Sequence, residues 1–154
     1  MERKELLDAL VEKKLTLSSM ESLTGGLFSA AFTSIPGASQ VFKGGAVTYS
    51  DEAKESFGVK KETIAEKGAV SLECAKEMAV KASEFFNSDI AVSFTGNAGP
   101  TASEEKPIGM VFIALRVKDS LFSYELALHG DREEIRRQCV DFAFSTLFEK
   151  VNAL

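Results

Sequence analysis

The chain has 154 residues, 45% apolar and 27% charged, with one histidine, two cysteines and a formal net charge of −5. This length reads as one domain, able to bury roughly 70% of the surface its unfolded form exposes, and the apolar fraction excludes general disorder. The acidic balance argues against nucleic acid as a bulk partner, which would select a dense basic face, but leaves room for a small phosphorylated ligand.

The N-terminus leads into an amphipathic helix over residues 2–14, with Leu6, Leu7, Leu10 and Val11 on one face, and not into a secretory leader. No run approaches 18 apolar residues, so no membrane span is expected. A short strand follows, about 15–20. Glu21-Ser22-Leu23-Thr24-Gly25-Gly26 then opens a second helix over 27–33. A turn at 35–39 precedes a strand at 41–49, where Gly44-Gly45 suggests a bulge or a close backbone approach. Short helices are predicted over 51–57 and 61–66. Ser71 caps a long helix whose buried stripe is Ala75, Met78, Ala79, Ala82, Phe85 and Phe86. A buried strand at 89–94 ends in Thr95-Gly96-Asn97-Ala98-Gly99-Pro100, and 101–107 reads as a polar, mobile loop. Residues 108–117 are nearly all apolar and suit a central strand covered on both faces. A tight hairpin at Lys118-Asp119-Ser120 leads to a strand at 121–128. Asp131 with Glu134 forms a capping box for the last helix, which buries Ile135, Cys139, Val140, Ala143, Leu147 and Val151. Strands alternate with helices early and a hairpin comes late. That order predicts a single-domain α/β sandwich over 1–154 with a mixed sheet.

Cys74 and Cys139 stand far apart and form no CxxC pair, so a reducing cytoplasm is the expected setting and no disulfide framework is indicated. With His129 as the only histidine, a His-rich zinc site cannot be built, and a Ser-His-Asp triad would have to use that one residue. Hydrolytic chemistry would therefore turn to Lys, Tyr or a carboxylate for its base.

Four segments could carry chemistry. Ser22 lies between a strand and a helix, where open α/β sheets bind ligands, and Thr24, Gly25 and Gly26 could offer N–H groups to an oxyanion or phosphate. The same residues serve equally as an N-cap and as close packing. Tyr49 ends a strand, and Lys54 falls in the first turns of a helix, where the dipole and partial burial disfavour its charged form. A Ser-Lys or Ser-Tyr-Lys arrangement could then activate Ser22; the alternative is a solvated lysine and a core tyrosine. The turn at Thr95, Gly96 and Gly99 could cradle a phosphate or a ring, or be an ordinary turn. Lys106 and Arg132 are candidate anion contacts, the latter because an arginine at a helix start opposes the dipole; both also read as solvated charges. His129 reads as structural.

Taken in order, Glu21-Ser22-x-Thr24-Gly25-Gly26, Pro36-Gly37-x-Ser39, Gly44-Gly45-x-Val47-x-Tyr49-Ser50-x-x-x-Lys54, Gly68-Ala69-Val70-Ser71, Thr95-Gly96-x-Ala98-Gly99-Pro100, Lys106-Pro107-x-Gly109 and Gly130-Asp131-Arg132 resemble the C-terminal domain of the CinA (competence/damage-inducible) family. The stand-alone form of that family is the PncC-type nicotinamide-nucleotide amidase. The resemblance spans about residues 5–150. It implies a three-layer α/β/α fold and hydrolysis of nicotinamide mononucleotide to nicotinic acid mononucleotide and ammonia, in pyridine-nucleotide salvage. It implies serine chemistry with neither metal nor cofactor, Ser22 as nucleophile, and Tyr49 and Lys54 as the activating pair. Thr24, Gly25, Gly26, Gly44, Gly45, Thr95, Gly96, Gly99, Lys106 and Arg132 are the expected substrate- and phosphate-contacting set. A cytoplasmic homo-oligomer acting on a small molecule, with no nucleic acid or membrane partner, completes the expectation. Two stretches depart from the family's pattern. Met20 and Leu23 replace an alanine and a cysteine around Ser22, and Asn97 and Thr101-Ala102-Ser103 replace an isoleucine and several glycines. The altered loop keeps two alternatives open: an amidase for another small amide, or a catalytically silent nucleotide-binding or regulatory module.

Overall fold

The computed structural model describes residues 2–154; Met1 lies outside them. Helix α1 (Arg3–Lys13) precedes β1 (Leu17–Glu21), α2 (Leu27–Thr33), a 3-10 turn at Ala38–Gln40 and β2 (Phe42–Val47). Then come α3 (Asp51–Ser56), α4 (Lys61–Lys67), α5 (Leu72–Phe86), β3 (Ile90–Gly96), β4 (Met110–Val117), β5 (Ser120–Ala127) and α6 (Arg132–Asn152). The strands form one mixed sheet in the order β2-β1-β3-β4-β5. β2, β1 and β3 run parallel, β4 runs antiparallel to β3, and β5 runs antiparallel to β4.

Strand alternation sorts the core into two unlike faces. Leu17, Ile90, Val92, Phe94, Val111, Ile113 and Leu115 meet α1, α2 and α6, around the ring contacts of Phe28, Phe32 and Phe144. The opposite face presents mostly small residues, Ser18, Ala91, Ser93 and Ala114 among them, to the Ala75, Ala79 and Ala82 stripe of α5. Small residues on both sides let α5 pack close to the sheet. Helices α3 and α4 lie on that side too, giving three layers. Among the described residues no helix is long and apolar enough to cross a membrane.

The caps form as expected. Ser71 Oγ accepts from Cys74 N at 3.1 Å, and the Asp131–Glu134 capping box closes in both directions. Three expectations shift. Val11, on the apolar face of the first helix, is 39% exposed, and Phe85 is 64% exposed and leaves the predicted buried stripe, packing instead on Phe57 near the molecular surface. The apolar run at 108–117 becomes strand only from Met110, because Gly109 turns the chain at φ +89°. β4 is buried as predicted, but β3 is the central strand of the five.

β1 hands the chain to α2 on one face, while the route from β2 to β3 runs through α5 on the other. The strand order therefore switches direction between β1 and β3. At such a switch the connections diverge and leave a crevice at the carboxyl ends of the strands.

Candidate active site

Three chain segments leave that edge side by side: Ser22 after β1, Thr48-Tyr49 after β2, and Asn97 after β3. Main-chain bonds lock them together, from Ser22 N to Phe94 O and from Thr48 N to Glu21 O, each 2.9 Å. They border a cavity of about 520 Å³, within the range of small-molecule sites.

The turn after Ser22 is held by two charged side chains. Glu21 is wholly buried, and its carboxylate accepts from Phe28 N (2.9 Å), Ser29 N (3.0 Å) and Ser29 Oγ (2.6 Å). The N-terminal amides of α2 that would attract an anion are thus filled by the chain's own carboxylate. Arg136, on α6, donates from Nε to Leu23 O and from Nη2 to Thr24 O, both 3.0 Å. Gly25 and Gly26, at φ +54° and +99°, complete the bend into the helix.

This arrangement changes the expected donor set. Gly25 N–H donates to Ser22 O at 2.9 Å, Thr24 is wholly buried, and none of Thr24, Gly25 or Gly26 lines the cavity. Leu23 does line it, and its N–H has no partner among the described residues. The amide following a serine at a strand-to-helix turn is the position from which an oxyanion is met.

Lys54 is 2% exposed. Its Nζ lies 2.9 Å from Ser22 Oγ, 2.9 Å from Thr48 O and 3.2 Å from Tyr49 O, and no carboxylate touches it. Burial pushes its pKa down, because desolvation penalises the ammonium; nearby negative groups, Cys74 and Asp51 foremost, oppose the shift. The Cys74 opposition is absent at neutral pH, since burial pushes that thiol up to about 12 and leaves it uncharged. All three neighbours are oxygens within hydrogen-bond reach of Nζ; a neutral amine at this point would give its two N–H bonds to the carbonyls and turn its lone pair to the Ser22 hydroxyl.

Tyr49 contributes differently from the sequence expectation. Its carbonyl accepts from Lys54, whereas its 58%-exposed side chain places the hydroxyl 2.8 Å from Arg132 Nη2. The physical reason is local: α3 starts just after Tyr49, so Lys54 folds back onto the preceding backbone. Arg132 Nη1 also donates to Gly99 O at 2.7 Å, joining β2's exit, the turn after β3 and the start of α6.

Thr95, Gly96, Gly99 and Arg132 line the cavity as expected, although the Thr95 hydroxyl is engaged by Ala69 O at 2.7 Å. Lys106 does not line it. Its ammonium donates to Lys67 O at 2.9 Å, to Val70 O, and to Glu104 Oε1 at 3.1 Å. Glu104 in turn accepts from Ala69 N (2.9 Å) and Val70 N (3.1 Å). Gly44 and Gly45 lie within β2, away from the cavity. A Cβ on Gly44 would meet Phe86 at 2.5 Å and one on Gly45 would strike Ser29 Oγ, so their role here is close packing. The ladder slips between Leu17↔Phe42 and Ser18↔Gly44, leaving Lys43, next to the glycine pair, out of register. His129 is also off the cavity; its carbonyl accepts from Gln138.

Arg136, Asn97, Asp51 and Glu104 stand outside the site residues that the sequence motifs point to. Arg136 lies one helical turn beyond Arg132, a spacing that places both on one face. Asn97 is a polar residue at the end of a buried strand. Both signals are present in the sequence but nonspecific.

Comparison with known proteins agrees with this architecture. Residues 2–151 match the family described as the CinA C-terminal domain. A CinA-like protein of Petrotoga mobilis is 47% identical over 148 residues, which cover 95% of this chain and 37% of the relative. Another, from Fervidobacterium nodosum, is 49% identical over 142 residues, 91% of this chain and 35% of the relative. The chain thus spans little more than a third of the curated relatives it matches. Among solved structures, the CinA superfamily protein of Klebsiella pneumoniae 700603 superposes with TM-score 0.96 at 32% identity, covering 99% of this chain and 96% of that one. The competence/damage inducible protein of Agrobacterium tumefaciens gives 0.89 at 36%, with coverages of 97% and 95%.

Proposed function

This chain belongs to the CinA C-terminal domain family, and on that footing we propose that it is an amidohydrolase converting nicotinamide mononucleotide to nicotinic acid mononucleotide and ammonia. The observation that carries the reading is the buried, carboxylate-free contact of 2.9 Å between Lys54 Nζ and Ser22 Oγ at the edge of a cavity.

In this reading neutral Lys54 takes the Ser22 hydroxyl proton as Oγ attacks the carboxamide carbon. The carbonyl oxygen becomes an oxyanion facing the Leu23 N–H. As the C–N bond breaks, the Lys54 ammonium returns its proton to the departing nitrogen, which leaves as ammonia. Neutral Lys54 then deprotonates a water that attacks the ester, and Ser22 Oγ departs with that proton. No step calls on a metal. Of the cavity-lining residues only Lys54 and Arg132 carry cationic side chains; with Lys54 neutral, Arg132 is the group for the ribose phosphate, in place of Lys106. Tyr49 steadies Arg132 and moves no proton. The same reading places a homo-oligomer in the cytoplasm, and sedimentation of the purified chain tests the assembly.

The test is ammonia release from nicotinamide mononucleotide by purified protein, with chelator present and Ser22→Ala in parallel. Chelator-resistant turnover that falls by at least about 10³-fold in the variant, with circular dichroism unchanged, is the expected result. Full activity in Ser22→Ala removes the serine assignment. A folded wild type that binds the nucleotide without turning it over supports the silent module instead.

A further inference from the structure

The residues that depart from the family's pattern at 97 and 103 touch each other. Asn97 is 5% exposed and lines the cavity, yet all of its carboxamide is engaged. Oδ1 accepts from Ser103 N (3.2 Å) and Ser103 Oγ (2.8 Å), and Nδ2 donates to Ser103 O and Lys106 O (both 3.1 Å). The backbone of Asn97 is fixed as well, donating to Met110 O at 3.0 Å and accepting from Gly109 N at 2.7 Å. Asn97 is therefore a rigid post at the end of β3, and the loop from Thr101 to Lys106 is tied to it. Only a carboxamide can do this, because one planar group must both accept twice and donate twice. Aspartate cannot donate, and leucine can do neither.

We propose that Asn97 is a positioning residue for substrate selection: its clasp holds Thr101–Glu104 as a preformed cavity wall and thereby sets which small amide fits beside Arg132. The inference rests on the amidase reading for its substrate. It follows from where the parts sit. Ser22 and Lys54 are held by β1, α2, α3 and α6, none of which hydrogen-bonds the 101–106 loop. The loop's other anchors, Glu104 on Ala69 N and Val70 N and Lys106 on Lys67 O, hold its far side to the turn before α5. Among the described residues, Asn97 alone ties that loop by hydrogen bonds to the strand end that carries Gly99 and, through it, Arg132. A wall ordered before binding costs the ligand no ordering entropy, so releasing it weakens binding while leaving bond-making intact.

The experiment compares wild type, Asn97→Ala, Asn97→Asp and the milder Ser103→Ala. Amide hydrogen exchange over residues 98–106 needs no turnover, and it is expected to quicken about tenfold or more in Asn97→Ala while α5 and β3 keep their protection. With nicotinamide mononucleotide as probe, KM is expected to rise about tenfold with kcat within about twofold, and preference over nicotinamide riboside to narrow. Asn97→Asp should match Asn97→Ala despite its equal size. Exchange that is already fast in wild type, or equal in wild type and Asn97→Ala, overturns the clasp. An equal fall in kcat with KM unchanged overturns its role in selection. If wild type neither binds nor hydrolyses the nucleotide, the amidase reading and the substrate named here fall together. The exchange comparison then decides separately whether the clasp exists. Should Asn97→Ala not fold, Ser103→Ala with the same readouts decides it.

Discussion

Two lysines at this edge of the sheet meet similar surroundings and end in different roles. Lys54 and Lys106 each donate to two backbone carbonyls, Thr48 and Tyr49 for one, Lys67 and Val70 for the other. The third partner separates them. Lys54 has the Ser22 hydroxyl, whereas Lys106 has the Glu104 carboxylate. A carboxylate stabilises an ammonium, and a hydroxyl in a dry pocket does not. Lys106 is consequently a tie that holds a loop, and Lys54 is the lysine that the proposed amidase reading uses as its base. The difference teaches that carbonyl contacts position a lysine, while its charge partner and hydration decide what it can do.

The strongest way to break this comparison is to remove the base. Lys54→Met should lower amidase turnover by about 10²–10⁴-fold, measured as ammonia release, with the chain still folded. The pH dependence sharpens it. Because burial lowers the Lys54 pKa, the neutral form predominates above that lowered value, and kcat/KM in wild type should rise with pH through it. Stability has the same sign. Between the lowered folded-state pKa and the ordinary lysine value of 10.5 the unfolded chain holds the extra proton, so stability rises with pH across that window and is lost below it. Lys54→Met should flatten this slope in urea titrations taken at several pH values. Retention of the slope in the variant would mean that another group produces it.

An intermediate effect is expected from the clamp on the Ser22 turn. Arg136→Met removes the donor to Leu23 O and leaves Thr24 O with the Leu27 N–H alone. Turnover should fall about tenfold to a hundredfold through misplacement of the turn, with the Lys54-dependent pH profile retained. An unchanged kcat would show that Glu21 and the glycine bend hold the turn unaided. The smallest effect belongs to the tie. Lys106→Met should cost about 1 kcal/mol of stability and leave the pH–rate profile in place. A shifted profile would erase the distinction between the two lysines.

Much of this contrast is legible in the amino-acid sequence. The lone histidine directs attention to lysine as a base, and ordered motifs point to Ser22 and Lys54. Tyr49 and Lys106 show where that legibility stops. Residue type and spacing put both near a ligand, but hydrogen-bond partners are long-range. The Tyr49 hydroxyl meets Arg132, 83 residues away, and Lys106 meets Lys67 O, 39 residues away. The glycines show the same limit. Gly44-Gly45 is expected to bulge or to permit close approach; the pair permits close approach, the register slips at the neighbouring Lys43, and the neighbours that make the glycines necessary are Phe86 and Ser29, on other elements.

Local chemistry in the sequence determined the element order, the caps at Ser71 and Asp131, the α/β class and the serine–lysine candidates. Each depends on periodicity or on groups a few residues apart. Tertiary structure alone decided that β3 is central and that Glu21 fills the amides of α2. It also decided that Leu23, and not Thr24, Gly25 or Gly26, borders the cavity and that Asn97 clasps Ser103. These depend on which distant surfaces pack and which polar groups lose water together. Burial and hydrogen bonding across the sheet edge exist only once the chain has closed on itself.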